Sequence, residues 1–293
     1  MKRPKSKTPQ TGFNGKKSPQ SAGRKQEIQQ PSSPVGGQAF AVKKMFRPLA
    51  PDLVIIFGFH AVLAALTANK RRILDLYVTQ NSLPRIIDIA RSKGLEPKIV
   101  EAKHLSAHLG QEAVHQGFLI EARPLPDADI FDIENKTGVI LVLDQITDPH
   151  NVGAIVRTAC AFGVDALIVT QRHSPNFSGV LAKIASGGLE HLLIVNVTNL
   201  ARALEDLHAR GYMIVGLDSQ GDELISGLPL STPLALVFGS EDRGLRRLTR
   251  ENCDAIARLD LSGPIQSLNV SNACAAVLSQ IKLILGKSPL GAS

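Results

Sequence analysis

From Gly138 onward the chain carries five short apolar runs, VILVLD, ALIVT, LLIVNV, MIVGLD and LALVFG, each nearly continuous rather than alternating. A strand with one wet face alternates polar and apolar residues. Continuous runs of this length therefore predict strands buried on both faces, as in a parallel sheet covered by helices. The segments VGAIVRTACAFG, SGVLAKIASGG and NLARALEDLHARG between them read as helices, two of which stop at a glycine suited to a helix C-terminus. A last helix, NVSNACAAVLSQIKLIL, follows. The pattern predicts a doubly wound α/β domain, a fold that binds ligands beyond the carboxyl ends of its strands. No internal repeat is visible.

Such a sheet, when it binds a dinucleotide, carries a glycine-rich turn directly after its first strand, where backbone must approach the pyrophosphate. Here VILVLD is followed by QITDPHNVG, which lacks that fingerprint and disfavours a simple dehydrogenase. The glycine-bearing loops come late instead, in FGSEDRG and LSGPIQS.

Residues 53–124 predict a separate small α/β or α+β unit. VIIFGFHAVLAAL suits a buried helix, ILDLYVT a strand, LPRIIDIARSKG a helix ending at Gly94, and PKIVEA and GFLIEA two further strands. Residues 125–137, with proline and acids clustered, read as a linker. Residues 1–50 read as a disordered basic tail, too poor in apolar surface to offset the entropy of ordering. The formal charge of +7 belongs to that tail. Residues 1–47 hold eleven of the 33 Lys and Arg and one of the 26 Asp and Glu, so the remainder carries 22 against 25, a formal −3.

Aromatics make up 4% of the chain and Trp is absent, so aromatic stacking surfaces are not expected to dominate. Cys160, Cys253 and Cys274 stand far apart without a CxxC pair, which argues for a reducing compartment and against a disulfide framework or zinc site. The N-terminus lacks the apolar core of a secretory signal. The longest apolar stretch, residues 53–66, is too short for a membrane span and is broken by His60. The expectation is a soluble, cytoplasmic protein with no membrane partner.

Several polar residues fall at the ends of the expected strands. Asn151 stands where a helix begins and suits capping of free backbone N–H groups, with Pro149 fixing the entry. Arg157, among Ile155, Val156 and Ala159, either pairs, points outward or serves a ligand. Gly239 gives backbone close access to a ligand, or simply opens a strand-to-helix turn with Glu241 at the helix N-terminus. Arg243, Arg246, Arg247 and Arg250 form either a basic strip or a solvated helix face, partly cancelled by Glu241, Asp242, Glu251 and Asp254. Ser267 and Asn269 flank Leu268 in a capping turn before the last helix. Cys160 and Cys274 lie on apolar helix faces as core residues, and His60, His115 and His150 are read as structural.

DPHNVGAIVRTACAFG (Asp148 to Gly163), LALVFGSEDRGL (Leu234 to Leu245) and SLNVSNA (Ser267 to Ala273) resemble, in this order and each after its strand, the three motifs of the SpoU (TrmH) family of SPOUT methyltransferases. FGFHAVLAAL and HQGF resemble the small RNA-binding domain of members that methylate a guanosine ribose in large-subunit rRNA. The resemblance covers about residues 55–285. It implies methylation of a ribose 2′-hydroxyl in structured RNA, first of all a guanosine of 23S rRNA, with S-adenosyl-L-methionine as donor and no metal. It further implies an RNA-binding domain at 53–124, a trefoil-knotted parallel sheet with helices on both faces at 138–288, and a homodimer formed through the knot. Asn151, Arg157, Glu241, Ser267 and Asn269 would be catalytic, and Gly239, Leu259 and Leu268 would contact the cofactor.

An arginine suits this chemistry. Methyl transfer from a sulfonium needs no acid for its leaving group, but a ribose hydroxyl is a weak nucleophile. A guanidinium binds phosphate bidentately and stabilises a developing alkoxide. Whether Arg157 or the RNA phosphate takes the proton stays open at this level.

The chain departs from the family pattern twice, with Leu259-Asp260-Leu261 where Ile-Pro-Met is usual and Asn272 where a small apolar residue is usual. These leave room for a catalytically decayed RNA-binding assembly factor, beside a tRNA or resistance-type rRNA methyltransferase. The basic tail reads equally as an arm for RNA phosphates or as a solubilising extension.

Overall fold

The computed structural model describes residues 45–48, 50, 52–172, 174–241 and 243–286, which build two sheets. The first unit contains β1 (Val54–Phe57), α1 (Phe59–Ala68), β2 (Ile73–Val78), α2 (Ile87–Ser92), β3 (Lys98–Ile99), α3 (Ala102–Leu109) and β4 (Phe118–Ala122). Its strands run in the order β1-β4-β2-β3, with β4 antiparallel to β1 and β2.

Two expectations fail here. VIIFGFHAVLAAL is not one helix: Gly58 adopts φ +90°, which ends β1 and lets α1 begin at the next residue. The β-branched Val54, Ile55 and Ile56 before it pair with β4, the conformation such side chains favour. PKIVEA yields only a two-residue strand, and the following AKHLSAHL is a helix anchored by the fully buried Leu105.

The tail boundary also moves. Residues 1–44 lie outside the described residues, but Phe46 and Arg47, inside the span expected to be tail, are docked. Phe46 is buried, with its ring stacked 4.1 Å from that of His108. Arg47 Nε donates to Asp75 Oδ2 at 2.8 Å, and its backbone N–H donates to Glu121 Oε1 at 2.8 Å.

The second unit contains β5 (Val139–Asp144), α4 (Pro149–Phe162), β6 (Ala166–Thr170), α5 (Gly179–Ile184), β7 (Leu193–Val197), α6 (Leu200–Ala209), β8 (Met213–Leu217), β9 (Glu223–Leu224), β10 (Leu234–Gly239), α7 (Arg247–Glu251), β11 (Ala255–Arg258) and α8 (Val270–Leu285). The strand order is β7-β6-β5-β10-β8-β11-β9, and every ladder is parallel. Successive residues of a strand face opposite sides, and β5 shows the result. Leu141 and Leu143 share one core with Val152, Ile155 and Val156 of α4 and Val277 and Ile281 of α8. Ile140 and Val142 share the other with Leu200, Leu204 and Leu207 of α6. Helices thus cover both faces, which is why the strands read as unbroken apolar runs. Each fully buried Ile or Val here contributes roughly 1.5–3 kcal/mol.

The run expected to be a linker at 125–137 is packed. Ala128 bridges to Val195, Ile130 and Ile133 are buried in the core beneath α6, and Arg210 Nη2 donates to the Ile133 carbonyl at 3.0 Å. The two units also touch directly. α5 lies against both β1 and α4, and a Cβ added to Gly153 would stand 2.9 Å from both Ile184 Cβ and the Leu181 carbonyl. Glycine at that point of α4 lets α5 approach, and α5 in turn seats the first unit. Among the described residues, no helix is long and apolar enough to cross a membrane.

Candidate active site

The carboxyl ends of β8, β10 and β11 surround a cavity of about 390 Å³. Leu217, Phe238, Leu259, Leu261 and Leu268 give it an apolar lining, and Asp218, Glu241 and Ser267 give it polar edges. Of the cofactor contacts expected from sequence, Gly239, Leu259 and Leu268 all line it. Asp260 and Asn272, the two departures, do not: both are exposed, and their neighbours Leu259, Leu261 and Ala273 face the cavity instead. β11 ends just before this stretch, at Arg258.

Gly239 has a structural demand of its own. A Cβ there would lie 2.3 Å from Gly244 C and 2.5 Å from Leu245 N, because the loop after β10 folds back against the strand end. The close approach is therefore made by the chain itself. Gly244 at φ +61° and a Ser240–Gly244 bridge close that loop.

Asn151 is not the helix cap. Asp148 caps α4, its Oδ1 accepting from the His150 N–H at 2.9 Å, and Pro149 is the first helical residue. Asn151 is thereby released to reach across the site. Its Nδ2 donates to Glu241 Oε1 at 3.0 Å, and its Oδ1 accepts from Asn269 Nδ2 at 2.9 Å. Asn269 Nδ2 also donates to Glu241 Oε1 at 2.9 Å, and the Val270 N–H reaches the same oxygen at 3.2 Å. Three donors thus converge on one carboxylate oxygen, and Oε2 has no partner among the described residues. Glu241 sits at the N-terminus of α8, not of α7 as the sequence suggested, and the positive end of that helix favours its charge. Asn269 caps the same helix as expected, accepting from the Ser271 N–H at 3.0 Å.

Arg157 stands apart. It lies six residues beyond Asn151, about 9 Å along the helix axis, is exposed, and makes no ion pair or hydrogen bond through its side chain among the described residues. A helix-surface salt bridge is therefore not its role. The other arginines behave differently. Arg246 pairs with the fully buried Asp144, Arg247 with Glu251 and Arg250 with Asp218, so most of the expected basic strip is spent internally. Asp144 also accepts from the Arg246 backbone N–H at 3.0 Å and ties the loop after β10 to β5. Asp144 and Asp218 were missed in the sequence. Their signal was an acid closing an otherwise apolar run, in VILVLD and MIVGLD. His115 is structural, accepting from the Gly117 N–H at 3.0 Å, with burial lowering its pKa. Cys274 is core and Cys160 is only half-buried. Among the described residues no cluster of three His, Cys, Asp or Glu forms a metal site.

Two family models match the chain: "SpoU rRNA Methylase family" over residues 138–279 and "RNA 2′-O ribose methyltransferase substrate binding" over 55–128. A Pseudomonas aeruginosa protein named 23S rRNA (guanosine-2′-O-)-methyltransferase RlmB is 38% identical over 234 residues, 77% of this chain and 94% of that protein. A Bacillus subtilis protein named putative TrmH family tRNA/rRNA methyltransferase YacO is 32% identical, covering 80% of this chain and 97% of that one. Among solved structures, the SpoU methyltransferase AviRb from Streptomyces viridochromogenes in complex with AdoMet aligns with a TM-score of 0.71 at 20% identity, over 86% of this chain and 100% of that chain. The AdoMet-bound rRNA methyltransferase from Sinorhizobium meliloti aligns at 0.70 and 21%, over 87% and 97%.

Proposed function

The chain belongs to the SpoU rRNA methylase family, and we propose that it methylates the ribose 2′-hydroxyl of a guanosine in 23S rRNA, with S-adenosylmethionine as donor. The observation that carries this reading is the convergence of the three motif loops. Asn151, Glu241 and Asn269 meet on one carboxylate oxygen at the edge of an apolar cavity beyond the strand ends. The cavity's volume is that of a small-ligand site, and its leucine-rich wall suits the flat apolar faces of an adenine. When bound, S-adenosylmethionine supplies an electrophilic methyl group for in-line displacement.

The chain's own residues do the positioning. Gly239, Leu259 and Leu268 line the wall against the donor. Glu241, fixed through Oε1, keeps Oε2 free to orient a ligand group, and Ser267 lines the same cavity. Arg157 presents a guanidinium without a partner among the described residues, which binds the RNA phosphate and stabilises negative charge as the 2′-oxygen attacks. The assembly factor with a decayed site is disfavoured, since the residues that motivated it lie outside the cavity.

The same reading places residues 53–124 as the RNA-binding domain, 125–137 as the connection and 138–288 as the catalytic domain, knotted and homodimeric, in the cytoplasm. The family models support the two domains, and the AviRb-like fold supports their architecture. The test is transfer of labelled methyl to 23S rRNA by the purified chain, with ribose methylation mapped in cells with and without it. Arg157→Ala and Glu241→Gln should each lose most of the transfer. A mapped site in tRNA instead of rRNA would replace the substrate, and full activity of Arg157→Ala would remove that residue from the mechanism.

A further inference from the structure

The motifs FGFH and HQGF of the first unit meet at the seam with the second. The Phe59 N–H, at the start of α1, donates to Gln116 Oε1 at 3.0 Å. Gln116 and Gly117 both hold positive φ, +56° and +82°. A Cβ on Gly117 would lie 2.2 Å from Ser82 Oγ and 2.5 Å from Thr79 Oγ1. This tight turn fixes the start of the segment that carries Arg85, and the guanidinium of Arg85 comes to rest over the Phe59 ring. Its Cζ is 3.8 Å from that ring centroid and 5.5 Å from that of the buried Phe118.

Arg85 is exposed and has no ion pair or side-chain hydrogen bond among the described residues. Asp88, one turn further on, does not pair with it. An arginine usually loses rotamer freedom only for a charge partner. Here the attraction between cation and ring holds it instead, with its donors unspent. At Gly58, the residue before Phe59, Lys183 of α5 brings Cγ to 3.3 Å from where a Cβ would sit, and it too has no ion pair among the described residues. α5 packs on α4, the helix that carries Asn151 and Arg157. The cationic patch therefore bridges the first unit and the catalytic face of the second.

Single-stranded and looped RNA is read by stacking unpaired bases on aromatic rings or on guanidinium planes. We propose that Arg85, backed by Phe59, is a stacking platform for an unpaired base of the substrate RNA and, with Lys183 at a neighbouring phosphate, sets where the strand enters the catalytic domain. This rests on the RNA methyltransferase reading above and names a specificity-determining contact for it. Low aromatic content is no obstacle, since the platform is the guanidinium and the ring is its support.

The test uses the full chain and a 23S rRNA transcript, with binding read by fluorescence anisotropy and transfer read from labelled S-adenosylmethionine. Arg85→Ala should weaken RNA binding by about tenfold, the scale of one lost base stack, and raise the KM for RNA with kcat and S-adenosylmethionine affinity unchanged. Arg85→Lys should not restore binding, because it keeps the charge and loses the planar face. Phe59→Leu should lose part of the affinity. Wild-type binding in Arg85→Ala, or full rescue by Arg85→Lys, overturns the platform; the lysine variant decides alone if the alanine variant is misfolded by circular dichroism. A wild-type chain that binds the transcript but transfers no methyl overturns the reaction assigned above, and anisotropy still decides Arg85. A chain that binds no transcript overturns both.

Discussion

Arg71 and Glu190 form a two-pronged ion pair buried between the two units, with Nη2 2.7 Å from Oε1 and Nε 3.1 Å from Oε2, each side chain 2% exposed. Arg71 precedes β2, and Glu190 sits in the 3₁₀ turn Gly188–Glu190 after α5, so the pair clamps the first unit to that turn. Removing one partner leaves a charge buried without compensation, at a cost of about 3–5 kcal/mol. Arg71→Met should therefore lower the chemical-denaturation midpoint strongly, while Arg71→Met with Glu190→Met recovers most of the loss. An unchanged midpoint in the single variant would mean the clamp contributes nothing.

That clamp was invisible in the sequence, where Arg71 sits in a short basic run and Glu190 in a glycine-rich turn, 119 positions away. The strands of the second unit were legible for the opposite reason. VILVLD and LALVFG are apolar on both faces because helices cover both faces. Val54–Phe57 misled because an apolar run that short has no period of its own, and only Gly58 marked the break. In the site, Asn151 and Asn269 are residue types that cap helices, and each falls in the sequence where a helix is expected to begin. Only the fold reveals that Asp148 does the capping for α4 and sets Asn151 free to reach Glu241.

Asn269 has two separable jobs, and substitution separates them. As cap of α8 it accepts from the Ser271 N–H; as a donor it holds Asn151 and Glu241. Asn269→Ala should lose about 1–2 kcal/mol of stability together with most methyl transfer. Asn269→Ser keeps a capping oxygen but is too short to bridge Glu241, so its melting temperature should stay near wild type while transfer still falls at least tenfold. Normal transfer by the serine variant would show that the bridge to Glu241 is dispensable.

The cysteines should be silent in the folded protein. Burial pushes the Cys274 and Cys253 thiols up to about 12, with Asp254 adding to the rise at Cys253, and burial also raises Cys160. A thiol with a pKa of about 12 is about one part in ten thousand thiolate at pH 8, and the thiolate is the reactive form. Titration with a chromogenic disulfide at pH 8 should give little fast reaction natively and all three thiols in denaturant. Rapid native labelling of Cys274 would contradict the packing of α8 described above.

Glu121 should make stability fall as pH rises. It is fully buried in β4, and burial raises its pKa above the ordinary 4.5, opposed by hydrogen bonds from the Arg47 backbone and Tyr77 Oη. The folded state therefore holds this proton more tightly than the unfolded chain does. Its stabilising contribution is complete below pH 4.5 and is lost as pH climbs through the folded value. Glu121→Gln copies the neutral acid, keeps an acceptor for Arg47, and cannot titrate. Denaturation midpoints of wild type and variant should converge near pH 4 and separate toward pH 7, with the variant the more stable. If wild type instead gains on the variant as pH rises, the Arg47 charge at 3.5 Å outweighs the cost of burial, and Glu121 acts as the anchor of an ion pair instead of as a buried acid.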